Sequence, residues 1–178
     1  MKKKKQRYDK KQERKKYFRP VFYQTLKLEE ISLDRVGEPV MINAFIDSIV
    51  QTPGPTLFRV TDGTASLTLK GFLSPGERAY PEIEIGDAIQ AKIQINEYSG
   101  MLEGEVRTIF KLAGEKAEDL QKFILETERK KARAKDIPFL IKDKILDKLK
   151  DRFLKAATEI RLAIIQNRPI IVRHHNDT

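Results

Sequence analysis

Residues 38–112 contain five short runs in which apolar and polar residues alternate, and this pattern constrains the fold more than any other. The fourth run is the clearest, because one of its faces carries Ile89, Ala91, Ile93 and Ile95. Alternation with period two and one apolar face is typical of strands that border a core. Gly and Pro separate the runs, and Asp62-Gly63 is a tight-turn signal. Five strands at this spacing predict a small antiparallel barrel.

The connection between the third and fourth runs, residues 73–86, is longer than the others. A five-stranded barrel of the oligonucleotide/oligosaccharide-binding (OB) type has its cross-over or short helix at this point. We therefore predict an OB-like domain over residues 20–113. Its first part, residues 20–32, mixes apolar and polar residues and is predicted to be an ordered lead-in that packs against the barrel.

After Gly114 the apolar spacing becomes helical. Acidic residues open this segment and basic residues close it, which suits the helix dipole. We predict a helical linker over 114–142. Asp136 is predicted to cap the next helix, with Pro138 in an early helical position.

A second helix is predicted near 143–166 from a stronger apolar stripe, which consists of Ile145, Leu149, Phe153, Ala156, Ile160 and Ile164. Asn167 can end this helix. Pro169 then begins a short apolar run, which predicts a strand over 169–173. A helix followed by a fully apolar strand is how an α/β domain begins.

Charge is distributed very unevenly along the chain, whose formal net charge is +9. Residues 1–19 hold eleven Lys and Arg against two Asp and Glu, and the 24 basic and 24 acidic residues that follow cancel. A basic arm attracts phosphate through counterion release without sequence specificity, but the same composition suits a solvated tail. We predict a disordered basic tail over 1–19, in which Lys3 and Lys4 contact nucleic acid.

The chain has no Cys, which excludes disulfides and thiolate zinc sites. No apolar run approaches the ~18 residues of a membrane span, and no apolar stretch follows the basic start as in a secretory signal. These features predict a soluble, cytoplasmic protein.

An OB-like barrel binds single strands on the outward face of its middle strands, between two loops that correspond here to 51–55 and 97–100. Bases need flat side chains on which to stack, and phosphates need cations nearby. The outward alternation predicts a binding set of Arg59, Lys70, Phe72, Lys92, Tyr98 and Arg107.

Two other readings of this face remain open. Phe72 and Tyr98 could pack against the lead-in or the linker helix. Glu103, Glu105 and Asp47 alternate onto or near the face and would repel a phosphate chain. Because OB faces also bind peptides, these acidic residues favour a protein-interaction barrel as an alternative.

Both histidines of the chain lie near its last residue. His175 and Asp177 are spaced i, i+2, so both can face one metal ion from an extended chain. Two ligands are too few for a working metal site, and polar chain ends are commonly frayed. Spacing alone therefore favours a frayed end.

The barrel, together with EIRLAIIQNRPIIVRHHNDT at the end of the chain, resembles the archaeal RecJ-like members of the DHH phosphoesterase family. GPTLFRVTDGT and RAYPEIEIGD also resemble that family's OB segment, so that the resemblance covers roughly residues 36–178. In this family an OB-type domain and a connecting helix precede the catalytic domain. Its first motif follows an apolar strand and reads approximately His-His-x-Asp-x-Asp-Gly.

The resemblance implies that His175 and Asp177 match the first two metal-ligand positions, and that a full-length enzyme uses Mn or Mg. It also implies that 143–178 is the start of a truncated DHH domain. The expected fold class is thus a five-stranded OB-like β barrel, followed by two helices and the first strand of a truncated α/β domain.

The later motifs of the DHH family are absent from this sequence. We therefore expect the chain to bind single-stranded DNA or RNA and not to cleave it by itself. One alternative is a split-enzyme subunit that is active only with a partner chain supplying the remaining DHH motifs. The other is the protein-interaction OB module.

Overall fold

The computed structural model of the chain describes residues 21–173, and every structural statement below concerns these residues. A short lead-in strand comes first, five longer strands follow, and two helices come last. The elements are β1 (Gln24–Thr25), β2 (Pro39–Gln51), β3 (Thr56–Thr61), β4 (Ser66–Gly71), β5 (Ala88–Tyr98), β6 (Met101–Lys111), α1 (Glu115–Ala132) and α2 (Lys144–Ile165). The five strands predicted from alternation are β2–β6. The long connection 73–86 between β4 and β5 contains no helix.

Strands β2–β6 form a closed barrel. Strand β2 pairs antiparallel with both β3 and β5, β3 pairs antiparallel with β4, and β5 pairs antiparallel with β6. Strand β4 runs parallel to β6, which completes the ring in the order β2-β3-β4-β6-β5. This five-stranded Greek-key barrel is an OB fold, with β1 attached outside it through a parallel pairing with β2. The predicted fold class is confirmed for the barrel and the two helices.

The inward residues predicted from alternation fill the barrel. The fully buried ones, at 0% exposure, include Phe58, Val60, Leu69, Ile89, Ala91, Ile93 and Ile95. Gly104 on β6 lies against core side chains from β4 and β5. A Cβ there would be 2.7 Å from Leu69 Cδ2 and 2.8 Å from Ile93 Cδ1. Any side chain at this position would push these two residues apart, so glycine permits the closure.

Asp62 connects the β3–β4 turn to the lead-in. Its side chain is buried and accepts hydrogen bonds from the Thr64 N–H at 2.8 Å and the Thr64 hydroxyl at 2.6 Å. The other carboxylate oxygen accepts the Leu28 N–H at 2.8 Å. The lead-in also places Leu26, Leu28 and Ile31 in the barrel core. Residues 24–31 are therefore an integral part of the domain.

An ion pair joins the start of β5 to the end of β6, with Lys111 Nζ 2.8 Å from Asp87 Oδ2. Burial raises the pKa of Asp87, but hydrogen bonds from Lys111 and from the Glu84 N–H outweigh it and leave the pKa lowered. The hydrogen bond to Asp87 raises the pKa of Lys111. Because the Asp87 pKa is lowered on folding, the pair stabilises the fold above the ordinary carboxylate pKa and loses this effect as pH falls through the lowered value.

Helix α1 covers one end of the barrel. Leu120 and Ile124 are buried in a small second core at that end. Gly63, at φ +80°, lies so close to α1 that a Cβ would be 3.1 Å from Ile124 Cα. Further along the helix, Lys131 Nζ donates to the carbonyls of Gly63 and Thr64, both at 2.6 Å. The helix is thus held at its middle and at its C-terminal end.

Helix α2 begins at Lys144, close to the predicted start near 143, but its cap is not the predicted Asp136. Asp143 is its N-cap, and the carboxylate accepts the Ile145 N–H at 2.6 Å. Asp136 instead pairs with Lys150 at 2.6 Å, and residues 133–143 are irregular. The structure therefore corrects the predicted cap, because Asp143 rather than Asp136 satisfies a free N–H of the first turn. Asn167, at φ 50°, ends the helix as predicted.

The predicted apolar stripe of α2 lies largely in solvent. The exposed fractions of Ile145, Phe153, Ile160 and Ile164 are 68%, 50%, 47% and 65%, whereas Leu162 and Ala163 are buried. Neither helix of the described residues has the length and hydropathy of a membrane span.

Residues 169–173 do not form the predicted strand. The segment is irregular, and Ile171 and Val172 are 79% and 80% exposed. A strand needs a neighbouring strand for its hydrogen bonds, and no strand of residues 21–173 lies beside this one.

Candidate nucleic-acid interface

The outward side chains of β3, β4 and β6 form one continuous surface, which we call the β3–β4 face. Its members are Leu57, Arg59, Thr68, Lys70, Glu103 and Glu105. The strand register places Arg59 opposite Thr68, and Thr68 in turn opposite Glu103. Leu57, Lys70 and Glu105 form the next row. Because side chains alternate along a strand, the residues between these six point into the barrel core. The face is therefore a largely polar surface that covers a buried apolar layer.

Two exposed aromatic rings border the β3–β4 face. Phe72 directly follows β4 and is 58% exposed, and Tyr98 ends β5 and is 64% exposed. The Lys70 ammonium lies 4.8 Å from the centroid of the Tyr98 ring, in a cation–π contact. The structure therefore brings Lys70 and Tyr98 together and leaves both rings accessible, as the stacking of bases requires.

Each predicted cation around this face already has an acidic partner. The pairs are Arg59 with Asp47 at 3.5 Å, Lys70 with Glu103, and Arg107 with Glu105 at 2.6 Å. Phosphate must compete with these carboxylates. The face therefore offers stacking surface more readily than net positive charge.

Lys92 lies on a different wall of the barrel. Strand β5 pairs directly with β6, but Lys92 lies six residues before Tyr98 along β5, with Met41 of β2 and Thr108 of β6 as its partners. The Lys92 ammonium is 5.2 Å from the ring centroid of Tyr23 in the lead-in. Arg107 lies between the two walls and donates to Gln94 of β5. The structure does not bring Lys92 together with Lys70 and Tyr98.

The two predicted gripping loops are short and internally bonded. In the loop 51–55, the Thr52 hydroxyl donates to the Pro55 carbonyl at 2.7 Å and accepts the Gly54 N–H at 3.1 Å. In the other loop, Ser99 and Gly100 form a tight turn with φ of 53° and 79°. Neither loop is long enough to wrap around a ligand, so any contact surface consists mainly of the strands.

Four predicted residues lie outside the described residues: Lys3, Lys4, His175 and Asp177. Within residues 21–173, no group of three His, Cys, Asp or Glu side chains is placed to hold a metal ion. The basic arm and the metal motif therefore stay predictions.

The sequence does not reveal a groove that lies beside the β3–β4 face. It has a volume of about 660 Å³ and is formed by residues of β2 and β3, α1 and the end of α2. The segments involved are far apart in the chain, and no local pattern marks them. The nearest signal in the sequence is the alternation of Asp47 onto the edge of the face.

The comparisons with known proteins identify one informative relative. No family model matches the chain. An uncharacterized protein of Methanocaldococcus jannaschii, MJ1198, is 40% identical over 140 residues, which cover 78% of this chain and 18% of the relative. The chain thus spans less than a fifth of the length of that protein.

Several solved structures resemble the barrel at low sequence identity. Schizosaccharomyces pombe Pot1pC bound to ssDNA has a TM-score of 0.48 at 15% identity, covering 60% of this chain and 97% of that one. The OB domain of MM0293 from Methanosarcina mazei has a TM-score of 0.43 at 17% identity, covering 51% and 85%. A replication protein A heterotrimer bound to ssDNA has a TM-score of 0.39 at 12% identity, covering 49% and 66%. The strand order and register of this chain independently identify its fold as OB.

Proposed function

We propose that this chain binds single-stranded DNA or RNA through the β3–β4 face of its OB barrel. The observation that carries the proposal is the exposed Tyr98 ring with the Lys70 ammonium 4.8 Å from its centroid. A base stacked on this ring would lie beside a cation that can contact the adjoining phosphate. Phe72 supplies a second exposed ring at the edge of the same face.

The charges of the face indicate which part of the binding affinity comes from the face and which part comes from the basic arm. Because Arg59, Lys70 and Arg107 are paired with carboxylates, stacking supplies most of the affinity at the face. The arm over residues 1–19, with its excess of nine positive charges, supplies most of the long-range attraction to phosphate. Binding is then sequence-tolerant and strongly dependent on salt.

Replacing Glu103 with glutamine should increase the affinity for single-stranded nucleic acid. Glu103→Gln frees the Lys70 ammonium and removes a charge that repels phosphate, so affinity should rise about two- to fivefold. Fluorescence anisotropy with a labelled strand of about 15 nucleotides, as DNA and as RNA, measures it. Titrations at several salt concentrations separate the electrostatic part of the affinity from stacking.

Glu115→Gln at the start of α1 is the matched control, because it changes the net charge equally away from the face. No binding by the unaltered chain at low salt would overturn the proposal. Binding that vanishes on removal of residues 1–19 would assign the function to the arm. Weaker oligonucleotide binding by Glu103→Gln would mean that the carboxylate contacts the bound strand and would contradict its role as a competitor of phosphate.

We further propose that the chain is the N-terminal portion of a RecJ-like DHH enzyme and does not cleave nucleic acid alone. The resemblance of its last 20 residues and the much greater length of the M. jannaschii relative support this. His175 and Asp177 would contribute an imidazole and a carboxylate to a Mn or Mg site, and carboxylates suit these ions. The remaining ligands would have to come from outside this sequence.

The exposed apolar side of α2 favours a related second candidate, a subunit completed by a partner chain with the remaining DHH motifs. Ile145, Phe153, Ile160 and Ile164 are 47–68% exposed, and Ile171 and Val172 more so. Exposed apolar patches of this kind mark contact surfaces. We expect the separately produced remainder of the M. jannaschii relative to co-purify with this chain. It should not co-purify with the Ile160→Asp variant, because a charge in the apolar patch would disrupt the contact. Equal retention of both forms, or of neither, would contradict this candidate.

A further inference from the structure

The groove beside the β3–β4 face has the size of a ligand pocket. We call it the helix groove. Its charged lining residues are Asp47, Glu128, Arg59 and Lys131, and its neutral polar ones include Gln121, Gln166 and Asn167. Its volume of about 660 Å³ is within the ~300–1,000 Å³ typical of small-molecule pockets. One wall belongs to the barrel, and the other belongs to α1 and the end of α2.

The apolar part of this lining is suited to a flat ring. Phe45, Ala65, Ile124 and Leu125 contribute to it, and Gly63 adds backbone without a side chain. Leu125 is 41% exposed, so apolar surface is accessible from within the groove. The face of a nucleobase is planar and weakly hydrated, and burying it against such a surface is favourable.

The rim offers free carboxylate acceptors to a base edge, whereas its cation Lys131 is already bonded to the carbonyls of Gly63 and Thr64. Glu128 Oε2 accepts a hydrogen bond from Gln166 at 2.7 Å, whereas no hydrogen bond of the described residues uses Glu128 Oε1. Asp47 forms an ion pair with Arg59 Nε at 3.5 Å, and no hydrogen bond of the described residues uses its carboxylate oxygens. Free carboxylate oxygens accept hydrogen bonds from the amino groups on base edges and repel phosphate oxygens.

Arg59 connects the helix groove to the β3–β4 face, since it belongs to both. Its Nε forms an ion pair with Asp47 at 3.5 Å, and no hydrogen bond among residues 21–173 uses its two terminal nitrogens. These nitrogens can hold a phosphate in a bidentate contact. A strand that stacks on Tyr98 and passes Lys70 and Arg59 would therefore reach the mouth of the groove.

The walls of the helix groove are held in place before any ligand arrives. Lys131 fixes α1 to the β3–β4 turn through the carbonyls of Gly63 and Thr64, both at 2.6 Å. The bond from Gln166 to Glu128 joins α2 to α1. A preformed pocket loses little conformational entropy on binding.

We infer that the helix groove receives one unpaired nucleobase of the bound strand, which the carboxylate and amide groups of Glu128 and Gln121 recognise by its edge. The inference rests on the proposed function and adds to it a base-reading position next to a sequence-tolerant stacking face. Bases with exocyclic amino groups, which are adenine, cytosine and guanine, should be preferred there over uracil or thymine.

Abasic scanning of the oligonucleotide tests this inference. One abasic site is moved along the strand, and the affinity of the unaltered chain is measured by anisotropy at each position. We expect one position besides the stacked ones where loss of the base weakens binding about tenfold. In the double variant Gln121→Ala, Glu128→Gln, that penalty should fall to less than about twofold, while the penalty at the stacked positions stays.

Two further variants complete the design. Glu126→Gln lies on the same helix but outside the groove lining and is the charge-matched control. In this variant an abasic site should weaken binding at every position as much as it does in the unaltered chain. Leu125→Trp fills the groove from a half-exposed position. Like the double variant, it should remove the position-specific loss of affinity that the abasic site causes. Thermal unfolding of each variant verifies that the fold is retained.

The outcomes separate this inference from the proposed function. An equal abasic penalty at all positions, or a position-specific penalty that the double variant and Leu125→Trp both retain, would overturn the base pocket alone. Absence of oligonucleotide binding by the unaltered chain would overturn the proposed function and the pocket with it.

Discussion

The Tyr98→Ala protein is expected to bind single-stranded DNA or RNA about five- to a hundredfold more weakly than the unaltered chain, a loss of about 1–3 kcal/mol. The Tyr98 ring is 64% exposed and holds the Lys70 ammonium over its face. Its removal abolishes a stacking platform and leaves Lys70 bound to Glu103 alone. Anisotropy titrations at one salt concentration measure the loss. The salt dependence should not change, because tyrosine carries no charge.

The lead-in offers a closely matched control. Tyr23 makes the same kind of contact away from the face, with the Lys92 ammonium 5.2 Å from its ring centroid. Tyr23→Ala should leave the affinity unchanged, and Tyr98→Phe should retain most of it. If both alanine variants bind equally weakly, the strand does not lie on the β3–β4 face. If neither variant loses affinity, the arm and not the barrel carries the binding.

The Asp62→Asn protein should lose about 2–4 kcal/mol of its free energy of unfolding. The carboxylate is 3% exposed, and one oxygen accepts bonds from the Thr64 N–H, the Thr64 hydroxyl and the Ala65 N–H. The other oxygen accepts the Leu28 N–H. An asparagine must direct its amide hydrogens at one of these two sets of donors, and a buried donor then loses its partner. Denaturant unfolding followed by circular dichroism measures the change.

Asp47→Asn is the control for this loss. The Asp47 side chain is 59% exposed and makes only the 3.5 Å contact with Arg59, so its loss should cost less than about 0.5 kcal/mol. Hydrogen exchange at Leu28 should accelerate only in Asp62→Asn, because that carboxylate anchors the lead-in. Equal stabilities of the two variants would show that the Asp62 bonds contribute no net stability.

The barrel was predictable because the signal for a strand is local. Alternation over Ile89–Ile95 identifies an inward face within a few residues, and the Asp62-Gly63 turn marks the end of a strand directly. Both features depend on neighbours in the chain and not on the rest of the fold. The end of α2 at Asn167 was predictable for the same reason.

The features that could not be predicted depend on distant parts of the chain. Alternation shows that Lys92 points outward, but not that it contacts Tyr23 of the lead-in while Tyr98, at the end of the same strand, contacts Lys70. The stripe of α2 has helical spacing, but spacing does not show whether a partner covers it, and Phe153 remains 50% exposed. The apolar run 169–173 has the composition of a strand without a neighbouring strand among the described residues.

In the candidate site, too, some features follow from the local sequence and others depend on the assembled fold. Exposure of Tyr98 followed from its position in a hairpin, whereas its contact with Lys70 depends on the register between β4 and β6. The carboxylate partners of the cations were visible as residues near the face. Their pairing, such as Lys70 with Glu103, is a property of the assembled barrel.

The parallel pairing of β4 with β6 also has a consequence for protein synthesis. Thr68 pairs with Glu103 and Lys70 with Glu105, so segments separated by about 35 residues must meet before the barrel closes. Pairings between distant segments form slowly, and a nascent chain can make this one only after β6 has left the ribosome. Until then Lys70 has no Tyr98 beside it. The surface that we propose for nucleic acid is thus completed only when the last strand of the barrel is in place.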